Sequence, residues 1–182
     1  MRLTAYMLTA LFAAGPAAAQ GWKAYSFPTY SFAVAFPVDP KIETTTYQAA
    51  DNRTVEAHVY SVRQGNSELR MTVVELAGAP VEDTGAIEHA VTALTQGHDV
   101  KLDIPHHIGA VQGRQLSIAH SDGSRTFAAV FYRKWRLYQM EGKALAGDPN
   151  AMADAIRFQQ SIEFGQSLDF ATQVAHPPAV AQ

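Results

Sequence analysis

Along most of this 182-residue chain apolar residues recur at every second position, and helical spacing interrupts that pattern at only two places. A chain patterned in this way builds a sheet and lays helices over it. Residues 31–36 set Phe32, Val34 and Phe36 on one side and Ala33 and Ala35 on the other, and Pro37 and Pro40 then end the strand because neither can donate to a ladder. Residues 41–47 are rich in Thr with an Ile, and residues 54–63 alternate Val55, Ala57 and Val59 against Glu56, His58 and Tyr60. With Gly65-Asn66 as a turn and Leu69, Met71 and Val73 on one side of residues 68–76, the stretch 54–76 reads as a β-hairpin.

The period changes at about residue 84. Ile87, Ala90, Val91 and Leu94 stand at i, i+3, i+4 and i+7, after the capping residues Asp83 and Thr84 and before Gly97, which predicts an amphipathic helix. Residues 98–105 return as a short strand, and residues 113–120 carry Leu116 and Ile118 on one face. Ser121-Asp122-Gly123-Ser124 is a turn by its chemistry, between that strand and a pair of strands over 125–133 and 135–142, with Phe127, Ala129 and Phe131 inward. Asp148-Pro149 opens a last helix, Asp as cap and Pro at the first helical position, whose stripe is Met152, Ala155 and Ile156. The periodicity ends near Phe164, so residues 166–182 are expected to form a flexible tail. The expected fold class is α+β, a mostly antiparallel β-sheet flanked by helices, in a single domain over residues 20–165.

Residues 1–19 read as an export signal. Met1 and Arg2 precede an apolar run to Ala14, Gly15-Pro16 breaks it, and Ala17-Ala18-Ala19 fits a small-residue cleavage site, so the mature chain is expected to begin at Gln20. The run is shorter than the ~20 apolar residues that a membrane span needs. Its removal takes away Arg2 and no acid, leaving 13 of the 14 basic residues against 17 acidic ones, a net charge of -4. Such a balance lacks the basic field on which nucleic-acid binding depends. The chain contains no cysteine, which excludes disulfides, thiolate chemistry and a lipidated cysteine anchor, and suits a soluble protein of a bacterial periplasm.

Several short motifs carry a family likeness. Residues 30–37, Tyr-Ser-Phe-Ala-Val-Ala-Phe-Pro, followed by Pro40-Lys41, resemble the opening of PsbP-like domains. Residues 109–114 sit where such domains carry a glycine before a strand, Arg136-Leu137-Tyr138 looks like their Arg-Leu-Tyr strand, and residues 158–164 resemble their closing Phe-x-x-Ser-Phe-x-Phe with Ile162 in place of the middle Phe. The resemblance covers residues 22–165 and implies an α/β/α sandwich around an antiparallel sheet. It implies no shared catalytic motif, since the family includes extrinsic photosystem proteins, a nuclear-transport factor and exported bacterial proteins of unknown role. Arg133-Lys134-Trp135 departs from the pattern, standing where small turn residues would be expected.

Two groups of residues are candidate sites. His98, His106 and His107, with Asp99 and Asp103 close by, offer nitrogen and carboxylate groups that could hold Zn or Cu, although Pro105-His106-His107 reads equally well as a solvated loop. Arg133, Lys134, Trp135 and Arg136 would expose an aromatic ring and three cations together at a hairpin apex, a composition enriched at binding hot spots. The alternative is that Trp135 turns inward beside Leu137. His120, Ser121 and Asp122 include the residue types of a hydrolase triad but are adjacent, and such groups converge from separate elements. His58 and His89 read as ordinary surface residues.

No phosphate loop, dinucleotide glycine pattern, nucleophile elbow or H-E-x-x-H motif occurs in the chain. The expectation is therefore an exported, soluble, non-enzymatic binding or accessory protein, free of cofactors, whose partner is a protein or small ligand of the cell envelope and which has no stable membrane insertion after cleavage. The alternative is a metal-dependent enzyme or metal-binding accessory protein built on the histidine cluster.

Overall fold

The computed structural model describes residues 21–77, 83–165 and 174–175. The export signal over residues 1–19 lies outside the described residues, as does the expected tail apart from Val174 and Ala175. Strand β1 (Lys23–Phe27) leads through a 3₁₀ turn (Pro28–Tyr30) into β2 (Phe32–Phe36), and β3 (Lys41–Gln48), β4 (Thr54–Gln64) and β5 (Ser67–Glu75) follow. Helix α1 (Asp83–Thr95) precedes four strands, β6 (Asp99–Ile108), β7 (Val111–Ala119), β8 (Arg125–Arg133) and β9 (Arg136–Ala144). Helix α2 (Pro149–Gln159) and two short strands, β10 (Glu163–Phe164) and β11 (Val174–Ala175), complete the order.

The long strands form one seven-stranded antiparallel sheet in the order β3-β4-β5-β9-β8-β7-β6, and the others a four-stranded sheet in the order β10-β2-β1-β11. In the smaller sheet β1 pairs with β2 antiparallel and with β11 parallel, so two of the residues expected in a flexible tail are held in a ladder. The fold is thus a mostly antiparallel sheet with two helices.

Alternation sorts the long strands into two buried clusters. Leu69, Met71 and Val73 of β5, Ala129 and Phe131 of β8 and Tyr138 and Met140 of β9 join Phe158 of α2 and the aromatic rings of the small sheet. Their sequence neighbours Val74, Ala128, Val130 and Leu137 join Ala86, Ile87, Ala90 and Val91 of α1. Central strands buried on both faces read as near-continuous apolar runs, which is why β8 is buried from Thr126 to Tyr132 with only Phe127 partly exposed.

Of the residues its spacing predicts, helix α1 buries Ile87, Ala90 and Val91 and half-buries Leu94. Helix α2 follows its predicted stripe only in part: Ala155 is buried, but Met152 is 39% exposed, Ile156 is half-buried, and Ala151, Phe158 and Gln159 complete the buried face. The cap is as expected: Asp148 accepts hydrogen bonds from the amides of Asn150 (2.9 Å) and Ala151 (3.3 Å), and Pro149 occupies the first turn. A further bond from the Asn66 amide to its other oxygen (3.1 Å) is the main cause holding the Asp148 carboxyl below its ordinary range.

Strand β6 runs to Ile108, past the expected stop at Pro105. Proline is tolerated there because β6 is an edge strand. A bulge between Val100 and Leu102, together with Lys101 and Pro105, breaks the regular edge that another chain would need for pairing.

Candidate functional site

The β8–β9 hairpin closes through Lys134 and Trp135, whose φ angles are +49° and +64°. A two-residue loop of this hand matches the twist of the flanking strands, but its left-handed conformation is normally filled by Asn and Gly. Each bulky residue held there carries steric strain of about 1–2 kcal/mol. Trp135 is 55% exposed and forms the turn, where sequence spacing placed it at the start of a strand. Among the described residues its hydrogen bonding is through the backbone, the carbonyl accepting from the Leu76 amide at 2.8 Å.

The structure divides the four predicted apex residues into two roles. Arg133 donates to the Ser31 carbonyl (3.3 Å) and lies over the Phe164 ring at 5.7 Å. Arg136 donates to Glu75 (3.2 Å) and lies over Tyr30 at 5.5 Å. The Tyr138 hydroxyl donates to the Tyr30 carbonyl at 2.7 Å, so the small sheet's turn is clamped to the hairpin base. Both arginines are therefore occupied by the protein itself. Lys134 and Trp135 project outward from a braced platform.

The three histidines proposed as metal ligands are not brought together. His98 precedes β6 and His106 lies eight positions later, on the order of 25 Å along an extended strand. The His106 ring packs on Phe131 at 5.5 Å, and His107, the next residue, pairs with Gln112 and belongs to the opposite face. Among the described residues no group of three His, Cys, Asp or Glu is placed to hold a metal ion.

His98 instead meets His120, ring centroids 4.5 Å apart and edge to face. His120 shares a 2.8 Å hydrogen bond with the Thr126 hydroxyl, and its pKa is lowered, first by burial and then by His98 and Lys143, with Asp122 opposing. His120, Ser121 and Asp122 form the expected turn: Gly123 N donates to the His120 carbonyl (3.0 Å), and Asp122 accepts from the Ser124 amide (2.9 Å) and hydroxyl (2.5 Å). The folded protein favours neutral His120, so its contribution to stability is present above the ordinary value of 6.5 and is lost as pH falls through the lowered folded value. Urea midpoints measured between pH 7.5 and 5 should decline for the wild type and decline less for His120→Asn.

Two further histidines each make contacts within the protein itself. His58 pairs with Glu56 at 3.0 Å and packs on Tyr30, and His89 of α1 meets the Gln48 carbonyl at 2.9 Å.

A groove of about 380 Å³ that no motif marks lies at the β4–β5 turn end of the large sheet. Register builds it in two rungs. One runs from Ser61 to Arg70 to Glu141, and the next from Arg63 to Glu68 to Lys143 and Thr126. These side chains share the face that α1 covers farther along the strands, as Arg70 and Glu141 alternate with Leu69 and Met140 of the opposite cluster. The signal was visible only as charge at alternate positions of separate strands, and the pairing register supplies what the linear order lacks.

No family model matches this chain, and no curated protein matches it. Among solved structures, it is similar to the solution structure of cyanobacterial PsbP (CyanoP) from Synechocystis sp. PCC 6803, with 13% identity, a TM-score of 0.51, and coverage of 85% of this chain and 99% of that one. The crystal structure of PA94, a protein of unknown function from Pseudomonas aeruginosa, matches with 10% identity and a TM-score of 0.38 over 72% of this chain and 86% of that one. The first likeness concerns fold alone and agrees with the sheet and two helices described above. None of the helices among the described residues is long and apolar enough to cross a membrane.

Proposed function

We propose that this chain is a non-enzymatic binding or accessory protein of the bacterial cell envelope, exported by residues 1–19, cleaved after Ala19, and built as a PsbP-like α/β/α sandwich. It captures a protein partner through Trp135 and Lys134. The observation that carries the reading is a half-exposed tryptophan on a turn whose two central residues both stand at positive φ. Strain of this kind persists only where the surroundings impose it, and it concentrates at functional sites. An exposed tryptophan beside a lysine supplies the large contact area and the charge that anchor an acidic, apolar-faced partner. The sandwich arrangement is supported by the separate clusters around α1 and α2, and by the family likeness of residues 30–37 and 158–164.

The decisive variant is Trp135→Gly, because glycine adopts the turn's φ without strain. Its thermal midpoint should equal or exceed that of the wild type. Affinity capture from the envelope fraction, with the chain from Gln20 as bait, should lose the wild type's specific partner by about tenfold or more, as for a hot-spot residue. Retention of the same partners by Trp135→Gly would overturn the reading.

A further inference from the structure

Within the charged groove at the far end of the sheet, the two rungs differ in how their charges are used. Arg63 is paired with Glu68, and Lys143 approaches Asp122 at 3.8 Å. Arg70 is exposed and makes no ion pair among the described residues. Glu141 stands directly opposite Arg70 in the ladder yet does not touch it, its polar contact being the Gln139 side-chain amide at 2.9 Å. Facing residues on adjacent antiparallel strands stand about 4.5–5.5 Å apart, a distance their side chains easily close, and opposite charges there ordinarily attract. Here a guanidinium and a carboxylate, neither in an ion pair among the described residues, flank a groove of about 380 Å³.

We infer that this groove is a binding site for a small zwitterion, a molecule with one carboxylate and one ammonium group such as a free amino acid or a short peptide. The ligand carboxylate takes the planar fork of Arg70, a geometry that an arginine and a carboxylate share in two parallel hydrogen bonds. The ligand ammonium takes Glu141, and the Ser61 hydroxyl beside Arg70 supplies a further polar contact on the same rung. A simple anion fits less well. Glu141, on the strand adjoining Arg70 and two residues from Lys143, would repel an anion bridging the two cations, whereas an ammonium removes that repulsion. The site is separate from the apex, since the β4–β5 and β8–β9 turns close opposite ends of the sheet.

The test is an NMR titration of the ¹⁵N-labelled chain from Gln20. One arm uses an equimolar mixture of the free amino acids and the other glycylglycine, with N-acetylglycine and glycinamide as probes lacking one charge each. Saturable shifts at the amides of Arg70, Glu141 and their ladder neighbours are expected in at least one zwitterion arm, and the responding arm identifies an amino acid or a peptide. Each singly charged probe, and each of the variants Arg70→Gln and Glu141→Gln with either zwitterion, should bind about tenfold more weakly or worse, the scale of one lost charge-assisted contact. Both positions are solvent-accessible, so the variants keep the fold. The proposal is overturned if neither zwitterion shifts these amides at about 10 mM, a concentration that would half-saturate a site of only ~2.7 kcal/mol. It is overturned equally if N-acetylglycine binds as tightly as the zwitterion, which would make the groove a plain anion site. Trp135→Gly should leave the titration unchanged, so the groove and the apex succeed or fail separately.

Discussion

Replacing Gly142 with alanine should destabilise the protein by about 3 kcal/mol or more, the upper range for an atom forced into a packed core. The reason is the approach of α2. A Cβ at Gly142 would stand 2.5 Å from the Ala155 carbonyl oxygen and 2.7 Å from its Cα, contacts with backbone that no rotamer change relieves. The helix must move away from β9, and its buried stripe moves with it. Because the obstacle is main chain, adding Ala155→Gly to Gly142→Ala should restore little stability. Urea denaturation followed by far-UV circular dichroism gives the midpoints, and wild-type stability in Gly142→Ala would mean that α2 does not lie against β9 as described. Gly113 is constrained in the same way by the Val130 carbonyl and the Phe131 ring of β8.

That close approach also explains where sequence spacing misjudged α2. Of the expected stripe Met152, Ala155 and Ile156, only Ala155 is buried, on a face that also carries Ala151, Phe158 and Gln159. A helix seated on a glycine needs small residues at the contact, and alanine contributes little to a hydrophobic stripe. Gln159 escapes a hydropathy reading for a different reason. Its side chain is buried because its amide donates to the Ala128 carbonyl (3.3 Å) and its oxygen accepts from Gln115 (3.3 Å), partners on strands that no local pattern connects to the helix. The strands themselves were legible because period-2 alternation is a local property, and β4 and β5 form the hairpin expected of residues 54–76.

The functional surfaces were legible to different degrees. The cluster at residues 133–136 stands out in the sequence, but its division of labour does not. Arg133 and Arg136 are consumed by Ser31, Phe164, Glu75 and Tyr30, none of them sequence neighbours, while Trp135 enters the turn because a two-residue loop leaves it nowhere else. The histidines illustrate the reverse. Proximity in sequence suggested a cluster, although alternation along one strand sends His106 and His107 to opposite faces, a consequence of the same rule that located the strand. The groove needs register as well as alternation, since Arg70 and Glu141 are 71 positions apart and meet only through the β5–β9 ladder.

Phe158→Ala provides the complementary test of how α2 is held. Phe158 is fully buried, its ring centroid 5.0 Å from that of Phe36 in the small sheet, and it belongs to the cluster that also contains Ala129, Tyr138 and Met140 of the large one. Truncating it removes the side chain through which the helix joins the two sheets, and the expected loss is about 3–5 kcal/mol. Where Gly142→Ala overfills the contact, Phe158→Ala empties it, yet both act on the docking of one helix. A helix already displaced by the added methyl has less to lose when its phenyl ring is deleted. The double variant should therefore be more stable than the sum of the two single losses predicts, by about 1 kcal/mol or more, the scale expected for residues sharing one packing unit. Strict additivity in urea denaturation would mean that the glycine contact and the phenylalanine anchor support the fold independently, contrary to a helix held as one body on the sheet.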